Sequence, residues 1–546
     1  MKIVNSLIFC IVFLILHVQA QEEVVFTSHS GKIEVWENEK GKLYLNVPPN
    51  FVDEMIHAGE VGYKNFGAKG DGKTDDINAI AAAHAFANMH QLRVRAQKDA
   101  TYYISGKRRT AFIKTDTDFG TAAFIIDDTD VEDRTTPVFE VKSDKKPFLL
   151  QGISSLRRNQ KKIDVDLPDP SLIMVVNRNV KQYIRMGRNQ NKGSSQKDIF
   201  LVDKEGNVDM DSPIIWDFDE ISEIKAIPID TSLLKITGGV FTTIANQAPS
   251  KYTYYARNIL IKRSHVTIEN MQHYVKGEKE QGAPYNGFLH IQDGAYITVQ
   301  NSLFTGRKTY TTKGAAGKSV SMGSYDLIVN RSLHVSFLNC TQSNDINDRK
   351  FWGIMGSNFS KNLVYDGCEL SRFDAHQGVA NATIRNSTLG HMGINLIGSG
   401  TFTLENSKVL GWSLLNLRSD YGSTWQGDVI IRNSVFKPFN GRTAVAPVLI
   451  AGFNDGQHDF GYVCYMPRKI VIENLLIDDS HHPKEYKGPA IFADFNPQLK
   501  EKSYQEAYPY MKTEKVILQN IRTSSGKKLR VSHNPFMFKG VEIIEK

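Results

Sequence analysis

A short strand-like phrase recurs along the second half of the chain, and nearly every copy ends on asparagine. "VTIENMQ" begins at Val266, "ITVQNSL" at Ile297, "VSFLNCT" at Val335 and "LVYDGCE" at Leu363. "ATIRNST" follows at Ala382, "FTLENSK" at Phe402, "VIIRNSV" at Val429, "IVIENLL" at Ile470 and "VILQNIR" at Val516. A weaker copy, "LKITGGVF", starts at Leu234. Apolar and polar residues alternate up to the marker position, which holds Asn270, Asn301, Asn339, Gly367, Asn386, Asn406, Asn433, Asn474 and Asn520. Consecutive copies lie roughly 20 to 46 residues apart. A constant short strand with loops of changing length describes coils stacked on one another, each burying its inward side chains on its neighbours. A β-propeller also repeats at about this length, but each blade needs four antiparallel strands with hairpin signals. Only one dominant strand recurs here, so the pattern predicts an all-β parallel solenoid.

Asparagine suits the bend after each strand because it tolerates left-handed backbone and its amide can reach the next coil. One residue after the marker stand Ser302, Cys340, Cys368, Ser387, Ser407 and Ser434. The pattern predicts an inward row of small side chains, with both cysteines acting as packing groups. With Cys464 they make an odd, sparse set, neither a disulfide framework nor a zinc site.

Upstream, "KNFGAKGDGKTDDINAI" (64–80) runs a glycine-rich loop into an alanine-rich helix. Such a loop can cradle phosphate. The glycine spacing is wrong for that, and the acids Asp75 and Asp76 would repel an anion. The stretch "FGAKGDGKTDDINAIAAAHAFAN" (66–88) instead resembles the N-terminal signature of the pectate-lyase-like superfamily. The resemblance runs on through "IKTDTDFGTAAFIIDD" (113–128) into the repeats. It implies a right-handed parallel β-helix with an N-terminal capping helix, a fold of polysaccharide lyases, glycoside hydrolases and phage tailspikes. Asp75 or Asp76 would cap the helix, with Ile77, Ile80 and Ala81 facing the first coils. In this family the motif is structural, and no catalytic role passes to Asp71, Asp75 or Asp76.

Residues 1–20 read as a signal peptide, with Lys2, the apolar "LIFCIVFLILHV" and "VQA" before Gln21. Cleavage there predicts a secreted or periplasmic protein with no stable membrane insertion. Residues 21–60 read as an N-terminal strand and cap segment, and 61–546 as one β-helix domain. Residues 150–230 interrupt it as an elaborated, partly strand-like insertion. Within the insertion, "DMDSPIIWDFDEIS" (209–222) reads as a solvated turn. Its ligand spacing matches no defensible calcium loop. No cofactor is identified, calcium has no recognisable motif, and the metal and the oligomeric state stay open.

Chemistry on such a scaffold comes from neighbouring coils. The densest polar region is 342–425, with Asn344, Asp345, Asp348, Arg349, Lys350 and Trp352, then Arg372, Asp374 and His376, then His391 and Asn395. Asn416, Arg418, Asp420, Tyr421 and Trp425 follow. Just upstream, "GRKTYTTKGAAGKSVSMGSY" (306–325) carries Arg307, Lys308, Lys313 and Lys318 on what reads as an exposed loop, a clamp for an anionic glycan. The formal charge of +7 agrees with an anionic partner, and nothing points to nucleic acid. Tyr325, Trp352 and Trp425 are candidate stacking platforms for sugar rings.

Three functions fit. A lyase acting on a uronate-containing polysaccharide, a glycosaminoglycan such as chondroitin sulfate or a pectic polymer, needs a carboxylate neutraliser, a base and an acid. His376 or His391 would be the base, Tyr421 or Tyr325 the acid, and Arg372, Asn395 or Arg418 the neutraliser. A hydrolase needs paired carboxyls, drawn from Asp345, Asp348, Asp374 and Asp420. The aspartate clusters and the Gly-His-Gly element of β-helix polygalacturonases are absent, as are the calcium-binding aspartates of pectate lyases. A non-catalytic glycan-binding β-helix is the third reading.

Overall fold

The structure is a computed structural model that describes residues 24–249, 254–279, 285–443, 445–500 and 504–546. The segment read as a signal peptide, residues 1–20, lies outside the described residues. Parallel strands wind into stacked coils, and thirty of them join one continuous sheet system. The repeat marked in the sequence forms an in-register column. Leu234 pairs with Val266, then Ile297, Val335, Leu363, Ala382, Phe402, Val429, Ile470, Val516 and Ile543 in successive coils. All but the last of these are buried. Period-two alternation turns one face of each strand inward, and each buried aliphatic side chain contributes ~1.5–3 kcal/mol.

The marker residues turn as their chemistry requires. Asn270, Asn301, Asn339, Asn386, Asn406, Asn433, Asn474 and Asn520 all have φ between 46° and 58°, and Gly367 has φ of 67°. Their amides form a ladder: Asn339 donates to Asn301 at 3.2 Å, Asn474 to Asn433 at 2.8 Å and Asn520 to Asn474 at 2.9 Å. Where Gly367 has no amide, Asn386 Nδ2 donates to Asp366 instead, at 2.8 Å. The adjacent row is inward and buried, as expected. Ser302, Ser387, Ser407 and Ser434 Oγ accept the amides of Met271, Cys368, Ser387 and Ser407 at 3.0–3.2 Å. Cys340 and Cys368 instead donate their thiols to the carbonyls of Val299 and Phe337.

A second turn column, which the repeat does not mark, runs through His265, Tyr296, His334, Asn362 and Asn381, all with φ of 53–60°. Its first three rings stack, with centroids 4.8 and 4.9 Å apart.

The glycine-rich stretch is a structural cap. Asp71 accepts the amides of Lys73 and Thr74 and the Thr74 hydroxyl, which holds its carboxyl down at about 2. Asp76 accepts the amides of Lys69 and Gly70 at 2.7 and 3.0 Å. Asp75 receives the Ile77 amide at the start of helix α1 (Ile77–His90). Of the two acids offered as the cap, Asp75 thus bonds the first helical amide, while Asp76 ties down the preceding turn. Ile77, Ile80 and Ala81 are buried against the first coils.

The insertion is a four-stranded antiparallel sheet with its own core of Leu156, Ile173, Phe200 and Phe218. Leu172, Ile199 and Leu201 pack on Ala295 and Leu333 of the coils. A buried Lys361–Asp198 ion pair of 2.8 Å crosses the same contact. Among the described residues, no helix is long and apolar enough to cross a membrane, and no cluster of three or more acidic, His or Cys side chains could hold a metal.

Candidate active site

A cleft of about 500 Å³ lies between the coils and a loop of the insertion, residues 183–193. Its floor is built from neighbouring coils: Tyr325, Asn358, His376 and Gln377. Arg418, Asp420 and Tyr421 close one end. One wall is the insertion loop that carries Arg185 and Arg188, and the other is the hairpin of Tyr310–Lys313 and Ser319–Met322. The two walls meet where the Ala315 amide donates to Asn189 Oδ1 at 2.8 Å.

A polar chain fixes the state of His376. Asn330 donates to His290 Nε2 at 2.9 Å, and Asn358 Nδ2 donates to Asn330 Oδ1 at 2.7 Å. Asn358 therefore offers its carbonyl oxygen to His376 Nδ1, at 2.9 Å. Nδ1 must carry the proton, so Nε2 keeps its lone pair. Burial, reinforced by the Arg418 charge, pushes the imidazole down to about 3, so the ring is neutral at physiological pH. Nε2 faces the Tyr421 hydroxyl at 3.5 Å. Burial raises the phenol above its ordinary value and keeps it protonated. Arg185 and Arg418 sit against the Tyr421 ring, 5.0 and 5.7 Å from its centroid.

The carboxylates here are already engaged. Asp420 receives Arg185 Nε at 2.7 Å and Arg418 at 2.8 and 3.1 Å. Asp374, fully buried, receives Arg372 at 2.6 Å and Arg418 at 3.2 Å. Burial alone would raise both acids, but the arginines outweigh it and hold both below the usual carboxylate range. Of the charged groups that line the cleft, Arg185, Arg188 and Arg418 thus stand against Asp420, and among the described residues no ion pair engages exposed Arg188. The cleft carries excess positive charge.

Several expected site residues sit elsewhere. Arg307 is no surface clamp: it is fully buried, bonds Asp326 at 3.0 Å and lies over the Tyr285 ring. An arginine paired with a buried aspartate reads locally like one on an exposed loop. Lys308 turns to the Lys279 carbonyl, so of that basic stretch only Lys313 and Lys318 project, from the hairpin. Trp425 is fully buried against Phe402, its indole donating to the Gly400 carbonyl, and offers no sugar platform. Asn395 bonds Asn416 and the Met392 carbonyl outside the cleft. Arg372 lies beneath Trp352 and Tyr325, 5.1 and 5.9 Å from their centroids. His391 lines a different pocket from His376, and Trp352 borders both. Asp345 and Asp348 cap turns by accepting the amides of Asn347 and Lys350, and neither lines the cleft.

Sequence reasoning did not single out Arg185, Arg188, Asn358 or Gln377. Asn358 carried a signal: it pairs in register with Asn330, so "IVN" and "GSN" put an asparagine at the same register position in consecutive coils. Arg185 carried none, because its partner Asp420 is 235 positions away.

No protein-family model matches the chain, and no curated protein matches it significantly. Solved structures do. The tailspike gp61 of Pseudomonas phage phi297 is similar with a TM-score of 0.51 at 11% identity, over 85% of this chain and 80% of that one. The Gp54 tailspike of Acinetobacter baumannii bacteriophage AP22, solved in complex with A. baumannii capsular saccharide, is similar with a TM-score of 0.51 at 9% identity, over 93% and 81%. At these identities the likeness is one of fold: the chain is a right-handed parallel β-helix.

Proposed function

We propose that this protein is an exported polysaccharide lyase that cleaves a uronate-containing anionic polysaccharide by β-elimination. One observation carries the reading: His376 presents an unprotonated Nε2 to the cleft beside a protonated Tyr421 hydroxyl, under surplus arginine charge. The uronate carboxylate would lie against Arg185 and Arg188, which acidifies its C5 proton. The carboxylate's charge would also offset the Arg418 field that depresses the imidazole, raising its basicity when substrate is bound. His376 Nε2 takes the C5 proton, the C5–H electron pair becomes the C4=C5 double bond, and the C4–O4 bond breaks. Tyr421 gives its proton to O4 and recovers one from His376 across their contact.

Two-carboxylate hydrolysis is disfavoured, because its general acid must hold a proton at working pH. Asp374 and Asp420 are held ionised by arginines. The base and acid also stand side by side, so the C5 proton and O4 must leave from one face of the ring. Glucuronate places them on the same face and galacturonate on opposite faces. The reading therefore favours a glucuronate-containing glycosaminoglycan such as chondroitin sulfate over a pectic polymer. The test is to incubate the protein with chondroitin sulfate and with polygalacturonate and weigh the products. Unsaturated uronides from chondroitin sulfate alone are expected. Saturated products, one water heavier, would make the protein a hydrolase, and binding without products would make it a glycan-binding β-helix.

A further inference from the structure

A second pocket, of about 360 Å³, opens beside the cleft and shares Trp352 with it. Trp412 stands in it 43% exposed, an unusual position for so large an apolar ring. Phe439 and Asn440 line it from a turn held in left-handed backbone, with φ of 50° and 52°. Such a conformation is costly for a phenylalanine, and it presents the ring beneath the Arg349 guanidinium, 5.9 Å from the centroid. Arg349 and Arg442 are both exposed, and no ion pair engages either among the described residues. His391 gives its Nδ1 proton to the Ile346 carbonyl at 3.0 Å and lines the pocket.

A flat exposed indole and two guanidinium groups that no ion pair engages among the described residues suit a sugar ring that carries an anionic group. The shared Trp352 makes this surface continuous with the cleft. We propose that the Trp412 pocket is a second subsite, holding a negatively charged sugar of the same polymer that enters the His376 cleft. This rests on the glycan reading above, and it gives His391 a role in binding. A chain spanning both pockets gains affinity because its second contact is intramolecular, whereas a fragment filling only the cleft does not.

The experiment uses the full chain carrying His376→Ala, so that ligands stay intact, and measures binding of chondroitin sulfate polymer and of its disaccharide by calorimetry. Adding Trp412→Ala, or separately Arg349→Ala, is expected to weaken polymer binding about tenfold and disaccharide binding less than about twofold. Both side chains are exposed, so truncation leaves the core intact. In the otherwise wild-type enzyme, Trp412→Ala should raise KM for polymer and leave kcat unchanged. Polymer binding unaltered by both substitutions would overturn the subsite while leaving the lyase reading standing, and so would an equal loss for the disaccharide. If the His376→Ala parent binds neither ligand and the wild type cleaves neither polymer, the lyase reading fails and the subsite fails with it.

Discussion

His376 reaches its chemical state through amides that carry no charge. The orientation of Asn358 is set by Asn330, and that of Asn330 by His290, so the proton on Nδ1 is decided three coils away. Nitrogen-detected NMR of the imidazole should find a neutral ring with Nδ1 protonated at pH 5. A charged imidazolium at that pH would refute the assignment. Asn358→Leu leaves Nδ1–H without an acceptor and frees the ring to turn. Activity should fall about 10²-fold, the scale of losing a positioned base, with the melting temperature moving far less. The same burial links stability to pH. His376 and His84 sit near 3 and His290 near 4, all below the unfolded value of about 6.5. Below about pH 6.5 the unfolded chain binds protons that the folded chain refuses. Unfolding free energy should therefore decline as pH falls from 6.5 toward 4, and His376→Asn should flatten that slope. A slope unchanged by the substitution would contradict the buried neutral state.

Along each coil the energetics repeat, and so can be tested in one place and read across. Asn386 has φ of 52°, and its amide bonds Asp366 at 2.8 Å. Asn386→Ala should cost about 1–3 kcal/mol, from the left-handed backbone and the lost hydrogen bond. Asn386→Gly should cost less, as Gly367 shows the turn accepts glycine. Cys340→Ser should change stability by under about 1 kcal/mol, because serine fills that row in other coils. Cys340→Leu should cost about 1–3 kcal/mol by overpacking. Urea unfolding checks all four. These elements were legible in the sequence because each coil faces the same steric problem and answers it with the same residue types. The site was legible only in part. His376, Tyr421 and Arg418 stand out as polar groups where the coil should be apolar, and they do converge. Arg185 arrives on a loop of the inserted sheet, and no local pattern records which coil that loop will cover. Arg307 and Trp425 misled because burial is a tertiary fact: a charge neutralised by Asp326 and an indole satisfied by Gly400 have no signature along the chain.

At the scale of the whole molecule, the coils supply a rigid floor, while the insertion and the hairpin supply the walls. The cleft's excess of arginine gives it a field that an anionic polymer senses before contact. Raising ionic strength from about 0.01 M to about 0.15 M shortens the screening length from ~30 Å to ~8 Å. KM for chondroitin sulfate should rise over that range, and Arg188→Glu should raise it further while leaving the melting temperature unaltered. An activity indifferent to salt would argue against an electrostatically guided substrate. The central claim is that winding brings His376, Tyr421 and Arg185 together for elimination, and the most direct measurement follows the ultraviolet absorbance of the unsaturated uronide as chondroitin sulfate is digested. The account predicts a steady rise with the wild type, at least about 10²-fold slower with His376→Ala and with Tyr421→Phe. A rise of the same rate in both variants, or new reducing ends without any rise, would contradict it.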